Sequence, residues 1–113
     1  MGDRLLRINE SMREVLSQAI GDLSDPRIGF VTITGVRVAR DMKHAKVYVS
    51  VLGDDKARER SLAALRAAHG VLQRSVAREV KLRNTPQLHF EYDDTLDTAM
   101  RIEELLRGHQ DDA

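Results

Sequence analysis

The chain is expected to form one α+β domain: a three-stranded mixed sheet with helices on one face. Three observations carry that expectation. Residues 3 to 20 place apolar side chains at helical spacing. Residues 30 to 38 and 45 to 52 alternate like strands across a short polar connection, which makes them an antiparallel hairpin. A long helical stretch then leads to a third strand-like run at 87 to 92, and a crossover of that length suits a parallel neighbour. At 113 residues the chain is long enough for one ordinary core and short for two.

In the first helix, Leu5, Ile8, Met12, Val15, Leu16 and Ala19 share a face, while Arg4, Arg7, Glu10, Arg13 and Glu14 fall mainly elsewhere. Gly21 to Pro26 supply stop and turn chemistry. The run FVTITGVRV changes phase midway: Val31 and Ile33 are odd, Val36 and Val38 even. A one-residue bulge near Thr34-Gly35 keeps both pairs inward. The run AKVYVSVL holds one phase, with Ala45, Val47, Val49 and Val51 inward and Lys46, Tyr48 and Ser50 outward. The long helical segment is expected over about 56 to 82, ended by Asn84-Thr85-Pro86. In QLHFEY, Leu88, Phe90 and Tyr92 share one strand face. A short closing helix from Thr95 to Arg107 would use Leu96, Met100 and Leu105 or Leu106, with Gly108 ending it. The domain is therefore placed at 3–107, with 108–113 a disordered tail.

Composition removes several classes of function. There is no cysteine, hence no disulfide framework and no thiolate chemistry. No apolar run approaches the roughly 18 residues of a membrane span, and the N-terminus lacks an apolar signal core. A cytoplasmic protein without a membrane partner is expected. The net charge of zero hides an asymmetry: residues 91 to 113 hold eight acids and two bases, whereas residues 58 to 83 hold seven bases and two acids. A local basic stripe, not the total, steers a polyanion.

That stripe contains a glycine. In AAHGVLQRSVAREVKLR, Leu65, Leu72, Val76 and Val80 make the apolar side of the helix. Arg66, Gly70, Arg74 and Lys81 lie roughly opposite, with Arg78 at their edge. A helix-interior glycine costs about 1 kcal/mol against alanine. Among Ala68, His69 and Gly70 it permits a kink or a close backbone approach, and guanidinium groups around a restarted helix would suit phosphates. A solvated basic face and a packing glycine explain the same residues without a ligand, and spacing alone leaves the two readings open.

Catalytic chemistry finds little support. His44, His69, His89 and His109 are scattered without metal-ligand spacing, and His69 falls near the apolar seam, as a packing histidine would. Asp93, Asp94 and Asp97 could hold magnesium, but a helix N-terminus accounts for them as caps. There is no phosphate-binding glycine loop and no nucleophile elbow. No enzyme activity, cofactor, metal or small-molecule substrate is expected.

The element order is also that of a type II KH domain, a fold that grips single-stranded nucleic acid with a Gly-x-x-Gly loop. Here Ala68-His69-Gly70 stands where that loop would be. This Ala-x-Gly kink resembles the ribosome-binding factor A family. Asp25-Pro26-Arg27-Ile28-Gly29-Phe30-Val31-Thr32-Ile33-Thr34, Asp41 to Ser50, Arg83 to Phe90 and Asp93 to Leu106 are similar to other stretches of that family. The resemblance covers roughly residues 4 to 107. It implies a non-enzymatic assembly factor that binds the free small ribosomal subunit and its ribosomal RNA; a monomer is expected. It also implies a role in late maturation and 5′-end processing of that RNA. Arg66, Gly70, Arg74, Arg78 and Lys81 would then contact phosphates, joined from the side by Arg83. A general KH-like RNA chaperone and a protein-binding adaptor with a basic helix face are the alternatives.

Overall fold

The computed structural model describes residues 2–95 and 102–107. The elements run α1 (Gly2–Gly21), β1 (Val31–Val38), β2 (His44–Val51), α2 (Asp55–Ala67), α3 (His69–Glu79) and β3 (Gln87–Tyr92). The sheet order is β1-β2-β3, with β1 and β2 antiparallel and β2 and β3 parallel. This is the mixed sheet expected from the hairpin and the helical crossover.

Helices cover one face of the sheet. Ile8, Met12 and Leu16 from α1 meet Ile33, Val36, Val47 and Val49 from the sheet. Leu65, Leu72 and Val76 from α2 and α3 complete the same cluster with Leu88 and Phe90. The bulge is where the phase change puts it: the register shifts between Ile33 and Gly35. Thr34, the extra residue, donates its hydroxyl to Asp93 Oδ2 at 2.7 Å. The bulge thus keeps Ile33 and Val36 both inward, and it anchors the chain as it leaves β3.

The start of α2 is chemically determined. Asp54 caps it, accepting the Ala57 N–H at 2.9 Å. Gly53 before it has φ of 129°, and a Cβ there would lie 2.9 Å from the Ala57 Cβ. Only glycine fits this turn without strain.

The helical segment is shorter than expected. It ends at Glu79, and Val80 is already extended at φ −105° and ψ 113°. The reason lies in the return to the sheet. Val80 is buried, and its N–H still bonds Val76 O, so the chain turns there to seat Val80 in the core. Gln73 then reaches across to β3: its Nε2 donates to Pro86 O at 2.6 Å, and its Oε1 accepts the Leu88 N–H at 3.1 Å. One amide side chain so determines where β3 begins.

Asp25, Pro26 and Arg27 form the turn before β1. The Asp25 carboxylate accepts the Arg27 backbone N–H and its guanidinium, the shortest bond being 2.7 Å. The Arg27 side chain first, then the backbone N–H, holds the Asp25 pKa down at about 2, against an ordinary 3.8. With the folded value depressed, the bridge's contribution is complete above the ordinary value and is lost as pH falls through about 2. An NMR titration of the Asp25 carboxyl should show a midpoint near 2; one near 3.8 would mean that the bridge does not form in solution.

The closing helix is helical at 102–107. Leu105 and Leu106 are exposed there, not packed as expected. Leu96, Met100, Gly108 and the tail lie outside the described residues.

Candidate nucleic-acid interface

The helical interruption falls at Ala68, whose φ and ψ are −86° and 9°. It is a bend of one residue and not a loop. Ala68 N–H still bonds Ala64 O at 2.9 Å, and Leu72 N–H bonds Ala68 O at 3.0 Å. Bonds of helical spacing therefore run up to the bend and on from it. His69 is half-buried beside the bend, as its position near the apolar seam suggested. Gly70 follows as an exposed residue within α3.

No described residue requires Gly70 to lack a side chain. A Cβ there would meet only Arg74 Nη1, at 3.5 Å, an ordinary contact. Arg74 therefore passes close over the bare backbone of Gly70. By helix propensity, Gly70→Ala should raise stability by up to about 1 kcal/mol. Thermal unfolding checks this, and a lowered melting temperature would show that the bend itself needs glycine.

The six basic and glycine positions singled out from the sequence do not all lie together. Arg74 and Arg78 are exposed on α3 beside Gly70. Arg78 approaches Glu79 at 3.4 Å, but both side chains are largely solvated, so the pair holds it weakly. Arg66, one element earlier, is engaged by the fold: its Nη2 donates to Phe90 O at 3.0 Å. Lys81 is exposed but lies beyond the end of α3, so it does not continue the helical stripe. Arg83 sits elsewhere, with Arg4 and Lys43, around a cavity of about 460 Å³ near the hairpin turn. What remains is a ridge of Gly70, Arg74 and Arg78 on one exposed face of α3. It offers two guanidinium groups, one of them lying over the bare backbone of Gly70, to a phosphate chain.

This arrangement has close relatives. Residues 4–106 match the family model described as Ribosome-binding factor A. The chain belongs to that family. The ribosome-binding factor A of Clostridium botulinum strain Hall is 45% identical over 104 residues, which cover 90% of this chain and 87% of the relative. The crystal structure of ribosome-binding factor A from Thermus thermophilus superposes with a TM-score of 0.71 at 30% identity, covering 78% of this chain and 93% of that one. A Thermus thermophilus ribosome-binding factor A fitted into a cryo-EM map of its 30S complex is also similar. Its TM-score is 0.62 at 31% identity, with 74% of this chain and 88% of that chain covered.

Of the groups considered for catalysis in this member of the ribosome-binding factor A family, Asp93 is engaged by the fold, whereas the buried His69 Nε2 meets no hydrogen-bond partner among the described residues, and Asp97 and His109 lie outside them. Asp93 accepts the Thr95 N–H at 3.0 Å as well as the Thr34 hydroxyl. The Thr95 side chain first, then that of Thr34, lowers its pKa. Among the described residues no three His, Asp or Glu side chains converge as metal ligands. No described helix is long and apolar enough to cross a membrane.

The sequence reading missed two features. Phe30 was expected within the first strand; it precedes β1 and is 79% exposed, beside Leu52 at 75%. The histidines are not all scattered: His44 Nδ1 and His89 Nε2 lie 2.9 Å apart across β2 and β3. That meeting depends on the parallel register, which pairs Lys46 with His89 and was not readable from residue spacing.

Proposed function

We propose that this protein is a non-enzymatic ribosome assembly factor of the cytoplasm. It binds the free small ribosomal subunit as a monomer and assists late maturation of the small-subunit ribosomal RNA, including processing of its 5′ end. The working unit is the domain at 3–107. The carrying observation is the ridge on α3, where Arg74 passes over a glycine whose missing side chain no described neighbour requires. The bare backbone at position 70 lets the Arg74 guanidinium lie close against α3, where it and Arg78 can take a phosphate chain. The scarcity of aromatic residues, two Phe and two Tyr, fits recognition of shape and phosphates over base stacking. Lys81 and Arg83 would serve as flanking cations, and Arg66 would act mainly through the sheet. The 30S complex formed by the Thermus thermophilus relative supports the choice of partner.

Sedimentation of the purified protein with ribosomal fractions at moderate salt is the test. Cosedimentation with free small subunits but not whole ribosomes is expected. Equal binding to every fraction would point to a general RNA chaperone, and absence from all of them would leave the adaptor reading.

A further inference from the structure

The face of the sheet turned away from the helices carries its own basic cluster. Arg37 and Lys46 are directly opposite each other in the β1–β2 ladder, and both are exposed. Like charges in that position destabilise a strand pair. No acid relieves them: neither has an ion pair among the described residues, and nor does Arg40, which follows at the hairpin turn. With His44, Tyr48 and His89 they line an open cavity of about 550 Å³, whose one acid among the described residues is Glu91.

The histidine pair adds a directed donor. At 2.9 Å, one of His44 Nδ1 and His89 Nε2 must donate and the other accept. If His89 donates, the remaining proton of the neutral pair sits on His44 Nε2. If His44 donates, it sits on His89 Nδ1. Either way one N–H is left over beside the three cations, available to a phosphate oxygen.

We infer that the open sheet face is a second RNA-backbone site, in which Arg37, Arg40 and Lys46 with the His44–His89 pair take phosphates of ribosomal RNA. This deepens the proposed function and rests on it. The face lies on the side of the sheet opposite the helices, so the domain would be held between two RNA segments and not laid against one.

Two measurements on the full chain test this. The first is affinity of R37Q/K46Q for free small subunits across a salt series. It should fall about tenfold and lose about 1.5 from the salt slope, the share of two phosphate contacts. Its melting temperature should hold or rise, since a like-charge pair is gone. If R37Q/K46Q folds poorly, R40Q/K46Q carries the same test. The second is photocrosslinking from p-benzoylphenylalanine placed at position 48 in the bound complex, which should label RNA. Wild-type affinity in a folded R37Q/K46Q, or labelling of ribosomal protein alone, would overturn the inference while leaving the proposed function intact. Failure of the wild-type chain itself to bind small subunits would overturn both, and it shows in the control lane.

Discussion

The R74E/R78E double variant should bind free small subunits on the order of 100-fold more weakly than wild type at moderate salt. Both side chains are exposed on α3, and neither packs in the core. Thermal unfolding should therefore stay close to wild type. The salt dependence should flatten by about 1.5 in slope, because two counterion-releasing contacts are gone. Sedimentation or filter binding across a salt series reads both quantities. Unchanged affinity in a folded R74E/R78E protein would remove the α3 ridge from the interface. Gly70→Ala gives the complementary result: tolerated by the fold, but weaker in binding, since its methyl group would press on the Arg74 guanidinium that lies over position 70. Stability and binding moving in opposite directions at one position is a signature that a purely structural glycine would not give.

The largest stability effect from a polar side chain is expected at Gln73. Gln73→Ala leaves the Pro86 carbonyl and the Leu88 N–H without their partner, and both residues are buried. Each unmet buried group costs about 1–3 kcal/mol, so a loss of roughly 3 kcal/mol is expected. For a domain of this size that is a fall of about 12–20 °C in melting temperature. Gln73→Glu separates the two bonds. A carboxylate still accepts from Leu88 but cannot donate to Pro86, so most of the loss should persist. A Gln73→Ala protein that melts within a few degrees of wild type would show that water replaces the amide at little cost.

The helices and strands were legible because each has one buried face with a clean period. Met12 and Leu16 in α1, and Val47 and Val49 in β2, are fully buried where their spacing put them. Even the bulge was readable, because Val36 and Val38 fall out of phase with Ile33 unless one residue is extra. The end of α3 was not. Val80 and Leu82 continue the apolar helical pattern, so periodicity alone runs on through them. Tertiary demand decides otherwise, since the chain must reach β3 in parallel register with β2. The candidate site was legible only as a set of cations. Sequence spacing placed Arg74 and Arg78 beside Gly70, but it could not show that Arg66 is bound to Phe90 O. Nor could it bring His44 to His89, because 45 residues separate them and only the strand pairing joins them.

The bonds from Gln73 and Arg66 have a consequence beyond folding energy. In β3 the N–H groups of Gln87 and of Asp93, just past its end, point to Lys43 O and Val49 O, so the even-numbered residues turn their backbone groups away from β2. Those outward groups are the ones taken by side chains: Pro86 O and Leu88 N–H by Gln73, and Phe90 O by Arg66. On β1, Asn9 does the same for the Val38 N–H at 2.9 Å. An edge strand with free ladder positions is a template for strand addition by another copy. Here both rims carry side-chain stoppers supplied by the helices. Copies of the protein brought to high local concentration therefore do not zip their sheets edge to edge into aggregates.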